Sequence, residues 1–405
     1  MKVGILTFSR AINFGANLQA CSTYCYLKNH GYEPIFINYV AEESVDEGKS
    51  FPSEQVKVQR EFQNQFAFTE HCHDGKTVAE VLIKHGIHNV IIGSDAVAQH
   101  HPKSTRIVFP TRHIITISHP SSDKLFPNPF WGDFLDYIED PISVSLMSVS
   151  NQQSKYSSFT KSEMKEMIKY VSRFSFISVR DDWTQSMYER ISNGKIVPDV
   201  TPDPVFAFNM NVSFIPSKEE ILRKYELPNN YILLALHNGR TVAPSWVKSF
   251  ERCCEEQGYT CVAFPFPYGI NKNNVAKKRI NLPLSPIEWY ALIKFSKGYV
   301  GYNMHTIVSA LHNSVPCFCM DQYGRRVLGQ FINKRSSKIF HILNAAGFPE
   351  NRVTANTVID FIPSPQKVFN MLMQFDREKC KRFADYYYER YLKMMSQIED
   401  VFIKQ

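Results

Sequence analysis

A module recurs along this chain and limits what it can fold into: a short apolar run, then a polar loop, then apolar residues at helical spacing. The first copy runs through residues 3–8 and the loop SRAINFGAN. Leu18, Cys21, Tyr24 and Leu27 then recur at helical spacing until Gly31 stops the helix. PIFINYV follows as a second strand and closes a βαβ unit. Parallel strands joined through a helix put the strand-to-helix loops at the carboxyl edge of the sheet, where open α/β sheets bind ligands. The loop carrying Asn13 and Gly15 is therefore expected to face a cleft.

Residues 41–76 are polar and aperiodic and read as a linker or surface excursion. TVAEVLIKHG then reads as a helix, and HNVIIGSDAV as a buried strand ending at Ser94 and Asp95. After a loop-rich stretch with NPFW, PISVSLMSVS reads as a strand, 162–170 as a helix and FSFISVRDD as a strand with Arg180 at its end. The proline-dense IVPDVTPDPVFAF marks a hinge near residue 205. Beyond it the module restarts: YILLALHNGR, YTCVAFPFP, KGYVGYN and PCFCMD as strands, with SPIEWYALIKF and TIVSALHN as helices. The last stretch, from residue 376, is helical, basic and aromatic. It is expected to pack back across both lobes or to rest on an anionic lipid surface.

With 405 residues the chain is long enough for two cores. The expected fold is α/β, two Rossmann-like domains facing across a cleft, with boundaries at 1–205, 206–375 and a C-terminal helix over 376–405.

Bulk properties exclude several function classes. Lys and Arg number 46 against 39 acidic residues, and the resulting +7 is spread along the chain. That excess suits small anions or an anionic membrane surface better than nucleic acid. Nine cysteines without a CxxC pair argue against a disulfide framework or a zinc ribbon, and point to a reducing cytoplasm. MKVGILTFSRA lacks the apolar core of a signal peptide, and no run reaches the roughly 18 apolar residues of a spanning helix, so any membrane contact is expected to be peripheral. His71 with His73, and His100 with His101, lack partners at a zinc spacing, so no metal is expected. GxGxxG, the P-loop pattern and Asp-x-Asp are all missing, which excludes the common nucleotide cradles.

Polar residues at strand ends remain. Asn13 with Gly15, Ser94 with Asp95, Arg180 with Asp181, and Asn303 with His305 each follow an apolar run and precede a helix. An arginine there can grip a phosphate or carboxylate bidentately beside a helix amino end. A histidine, with an ordinary pKa of about 6.5, can donate a proton at neutral pH. Together they suit a small dianion that needs protonating. Structural roles compete: Ser94 and Asp95 as helix caps, Asn13 and Gly15 as turn formers, Arg180 as a salt-bridge partner of its acidic neighbours.

These residues carry a family resemblance. GILTF, NFGANLQA and GYEPIFINY resemble the start of the polysaccharide pyruvyl transferases, where an Asn-aromatic-Gly turn and a Leu-Gln-Ala helix follow the first strand. IIGSDAV is similar to the family's Gly-Ser-Asp element, SLMSVS stands for its Ala-Ser-Phe-Gly strand, and SVRDD and DPVF follow in order. YNMHTIVSALHNSVPCFCMD resembles its His-containing strand-to-helix turn.

The resemblance implies two lobes arranged as in the GT-B glycosyltransferases, with phosphoenolpyruvate as co-substrate and no other cofactor. His305 would protonate the methylene carbon, and Arg180 would hold phosphate or carboxylate. Arg325 or Arg326, in the GRRV turn, would supply a basic residue that the family places after the His. Asn13, Gly15, Ser94 and Asp95 would lie on the acceptor side, in the N-terminal domain, and phosphoenolpyruvate on the C-terminal side. The implied acceptor is a glycan, read as the lipid-linked precursor of a surface polysaccharide of capsule or exopolysaccharide type. This chain departs from the family at Asn303, where an Arg is usual, and at Ala96 and Ala98, where Gln and Trp are usual. His237 and Arg240 are candidates to replace the missing anion clamp. Two rival readings share the same cleft: a GT-B glycosyltransferase using a nucleotide sugar, and a sugar-phosphate-binding protein without turnover.

Overall fold

The computed structural model describes residues 1–404 except 45–46, 103–105, 112–113, 119, 237–241, 328–330 and 355–360. Two parallel sheets form its skeleton. The first has seven strands in the spatial order Phe68–Cys72, Glu33–Tyr39, Lys2–Leu6, Asn89–Asp95, Ser143–Val149, Phe176–Val179 and Asp199–Val200. The second has six, in the order Lys278–Arg279, Thr260–Ala263, Tyr231–Ala235, Gly298–Gly301, Cys317–Asp321 and Arg352–Thr354. Helices cover both faces, so central strands such as Asn89–Asp95 and Tyr231–Ala235 are buried along their whole length.

In both sheets the chain's first strand lies inside, with the next strand on one side and a later one on the other. Each sheet therefore has a switch point beside its first strand, where neighbouring connections leave in opposite directions and open a crevice. Asn13 and Asp95 stand at the crevice of the first sheet, and Asn303 with His305 at that of the second.

The lobes share an apolar seam. Phe14 and Leu18 on helix Phe14–Asn29 join the core cluster of the second lobe, and the Phe14 ring stacks 5.3 Å from Trp289 on helix Pro286–Phe295. Segment 41–76 departs from expectation. It contains helix Ser53–Gln63 and the edge strand Phe68–Cys72. The helix escapes an apolar periodicity reading because its buried face is largely amide: Gln55, Gln59 and Gln63 lie there beside Phe62. Gln55 bonds both backbone groups of Leu284, at 2.9 and 2.8 Å, and so ties this helix to the other lobe.

The final helix, Arg377–Asp400, crosses the seam. Cys380, Phe383 and Tyr387 pack into the second lobe's core, and Tyr391, Met394, Met395 and Ile398 into the first's. Its apolar face is thereby used within the fold. No helix among the described residues is long and apolar enough to cross a membrane.

Candidate active site

Two helix amino ends, one from each lobe, meet at a cavity of about 520 Å³. Both are capped by asparagine. Asn13 Oδ1 accepts from Gly15 N at 2.9 Å and Ala16 N at 3.3 Å, and Asn303 Oδ1 accepts from His305 N at 2.9 Å and Thr306 N at 3.4 Å. Gly15 permits their approach: a Cβ there would lie 2.0 Å from His305 Nδ1 and 2.5 Å from its Cβ. The imidazole therefore lies against the bare backbone of the opposite lobe's helix.

Behind this wall runs a buried ionic network. Asp203, from the DPVF segment, accepts from Arg180 Nη1 at 3.0 Å and from Gln19 Nε2 at 2.5 Å. Asp95 Oδ1 lies 3.8 Å from Arg180 Nη2. Asp181 faces elsewhere: it caps helix Asp182–Ile191 through Thr184 N and accepts from Ser150 Oγ at 3.0 Å. Arg180 is thus placed differently from the expectation of a phosphate clamp. It is 4% exposed, held by carboxylates, and does not line the cavity. Ser94 also lies behind the wall, donating to the Ser148 carbonyl at 2.8 Å and accepting from Gln19 at 3.3 Å.

Asp95 does reach the cavity, with φ of 127°, a conformation costly for a residue bearing a Cβ. The surroundings hold it there: its carboxylate accepts from Ala96 N at 2.7 Å and its carbonyl from Ser150 N at 2.8 Å.

His305 lines the same space and is 5% exposed, and its Nε2 has no hydrogen-bond partner. Burial pushes its pKa down to about 4; Asp203 and Asp95 pull it up, and Arg180 and Lys338 oppose them. The expected near-neutral pKa is therefore corrected, since desolvation outweighs the carboxylates. At neutral pH this shift favours the uncharged imidazole.

Lys338, which the sequence reading missed, is a cation that lines the cavity and acts on His305. It opens helix Lys338–Ala345, its Nζ lies 4.9 Å from the Tyr323 ring centroid, and burial and then Arg180 lower its pKa to about 8. Asp321 fixes that helix start: it accepts from Ser337 Oγ at 2.6 Å and pairs with Arg352 Nε at 2.6 Å, while Ser337 caps Phe340 N at 3.2 Å. One local signal was available. A lysine at the first helical position, with no acid in that turn, opposes the helix dipole.

Of the expected residues, Asn13, Asp95, Asn303 and His305 line the cavity together, and Gly15 lies against His305. Arg325 and Arg326 open a short antiparallel hairpin, Arg325–Val327 with Phe331–Asn333. His237 and Arg240 lie outside the described residues.

The family model for polysaccharide pyruvyl transferase matches residues 13–322, from the first helix cap through the His305 turn. The chain belongs to this family. It is accordingly a transferase, of a family that modifies saccharides, as the opening motifs led one to expect. No curated protein matches the chain. Among solved structures it is similar to a putative UDP-N-acetylglucosamine 2-epimerase from Listeria monocytogenes, at 11% identity over 100% of this chain and 98% of that one, TM-score 0.53. The S. aureus MnaA–UDP co-structure gives 11% identity over 100% and 98%, TM-score 0.51. The UDP-N-acetylglucosamine 2-epimerase from Rickettsia bellii gives 10% over 99% and 97%, TM-score 0.51. At such identity the likeness establishes the fold alone, the two-domain GT-B arrangement around a cleft, as expected for a pyruvyl transferase of this family.

Proposed function

We propose that this transferase moves the enolpyruvyl unit of phosphoenolpyruvate onto a sugar hydroxyl and closes a pyruvyl ketal with a second hydroxyl. The observation that carries this reading is His305: a buried imidazole with an unpartnered Nε2, between two helix amino ends and near a cation free to meet an anion. Phosphoenolpyruvate sits with phosphate or carboxylate on Lys338, which takes the place of the Arg missing at position 303. Arrival of the anion stabilises the imidazolium, so the acid is loaded only when its substrate is bound.

The proton then passes from Nε2 to the methylene carbon. The electron pair of the double bond forms the new C–H bond, and the neighbouring carbon becomes an oxygen-stabilised cation. A sugar hydroxyl attacks that carbon and its proton goes to Asp95, which lines the same cavity as His305. Cleavage of the C–O bond releases phosphate, which takes the proton from Asp95, and the second hydroxyl attacks the same carbon and returns a proton to Nε2 as the ketal closes. No metal or further cofactor enters these steps. A cytoplasmic site of action and a lipid-linked acceptor held at the membrane surface go with this reading.

Calorimetric titration of phosphoenolpyruvate, beside a panel of UDP-, GDP- and CDP-sugars, tests it. Saturable binding of phosphoenolpyruvate alone is expected, whereas binding of a nucleotide sugar alone would transfer support to a glycosyltransferase. With an acceptor in hand, His305→Ala should lower turnover by about 10²- to 10⁴-fold and leave phosphoenolpyruvate affinity within a few fold. An unchanged rate would remove His305 as the acid.

A further inference from the structure

The cavity runs well past the space that a small dianion fills beside His305. Its lining includes two cations that the chemistry above does not use. Arg10 follows the first strand and Arg60 lies on helix Ser53–Gln63; both are half-buried and both line the cavity. The Arg10 guanidinium sits 3.6 Å over the Phe68 ring and donates to Asn64 Oδ1 at 2.8 Å and Asn38 Oδ1 at 3.4 Å. Arg60 Nη1 donates to the Arg10 carbonyl at 2.6 Å and to Gln63 Oε1 at 2.7 Å.

Every one of these partners is neutral. The arginines that pair with carboxylates among the described residues are Arg173, Arg180 and Arg352, and neither Arg10 nor Arg60 is among them. Asp123 lines the same cavity but makes no ion pair with either. Lys124 and His71 also line the cavity. Two half-buried guanidinium groups side by side, steadied only by amides and a ring, repel each other and leave donors unused. An oxyanion relieves both costs, and the guanidinium fork matches phosphate oxygens bidentately.

We propose that Arg10 and Arg60 form a second anion subsite that takes a phosphate or diphosphate group on the acceptor, so that the acceptor is a phosphate-bearing saccharide whose hydroxyls reach the His305 end. The role of that end rests on the pyruvyl-transfer reading; the subsite itself does not.

Inorganic pyrophosphate, titrated calorimetrically into the full chain held with saturating phosphoenolpyruvate, reads the subsite directly. Saturable binding is expected, weakened about tenfold or more by Arg10→Gln and by Arg60→Gln, each of which removes a charge-assisted fork. Phosphoenolpyruvate affinity should stay within a few fold in both variants. Arg60→Lys keeps the charge and loses the fork, so it should weaken pyrophosphate less and serves if a glutamine variant does not fold. No saturable binding to the unmodified protein, or binding indifferent to all three changes, would overturn the proposal.

If phosphoenolpyruvate itself fails to bind, the pyruvyl-transfer reading falls. The subsite then still stands if pyrophosphate binding depends on Arg10 and Arg60 and not on Lys338. Competition by a sugar 1-phosphate, a nucleotide sugar, or a polyprenyl-diphosphate sugar in detergent micelles identifies the source of the anion. If none of them competes, the assignment to the acceptor is lost.

Discussion

The two ends of the cavity manage positive charge in opposite ways. At the His305 end, Arg180 is fixed by Asp203 and approached by Asp95, so its charge is spent inside the wall. At the Arg10 end, the guanidinium groups are steadied by Asn38, Asn64 and Gln63, which hold them in place and leave their charge uncancelled. The difference separates two uses of an arginine at a sheet edge. One that meets carboxylates is framework, and one that meets only amides remains free for an anion. Lys338 is an intermediate case, with Asp95, Asp181 and Asp203 near enough to pull its pKa up, yet pushed down overall by burial and Arg180.

Arg180→Ala tests this comparison most severely. It leaves Asp203, 2% exposed, and Asp95, 8% exposed, without their cation, and removing one partner of a buried pair costs about 3–5 kcal/mol. Urea unfolding should show a loss of that size, with phosphoenolpyruvate affinity of the folded protein within a few fold of the original. Unchanged stability with collapsed binding would return Arg180 to the ligand and erase the contrast.

Lys338→Met should weaken phosphoenolpyruvate by about tenfold to a hundredfold and cost little stability, since one charge-assisted contact contributes about 1.5–3 kcal/mol. The pH dependence has a definite sign. The charged lysine binds the anion, and with burial lowering its pKa to about 8, affinity falls as pH rises through that value. Lys338→Arg should carry the loss to higher pH, and an affinity flat from pH 7 to pH 9 in the unmodified protein would remove Lys338 as the clamp.

Legibility in the sequence followed the kind of interaction involved. The βα modules, the restart after residue 205 and the strand-to-helix turns at Asn13 and Asn303 were visible because local propensity and apolar period dictate them. Helix Ser53–Gln63 was not, because Gln55 is buried for amide bonds to another lobe's backbone, which no period records. Arg180 was found at its strand end but its partner was not: a strand-end arginine looks the same whether or not Asp203, which lies beyond the next helix, folds back to pair with it. Lys338 lay beyond reach for the related reason that its role depends on a packing arrangement across lobes, with only its unfavourable position at a helix start as a hint.

The finest test of the His305 end is Gly15→Ala. The new methyl would stand 2.0 Å from Nδ1, so the ring must move off the opposite helix or the lobes must part slightly. Overpacking of this kind costs about 1–3 kcal/mol. If the contact serves to aim Nε2, turnover should fall by about tenfold while phosphoenolpyruvate, bound through Lys338, is little affected. The loss should also be smaller in the His305→Ala protein, where the 2.0 Å contact with the ring is gone and only the 2.5 Å contact with Cβ remains. Were Gly15→Ala to slow the His305→Ala protein by the same factor as the unmodified one, the glycine would be acting on the lobe seam through Phe14 and Trp289. The two ends of the cavity would then be set by domain packing and not by the aim of a single ring.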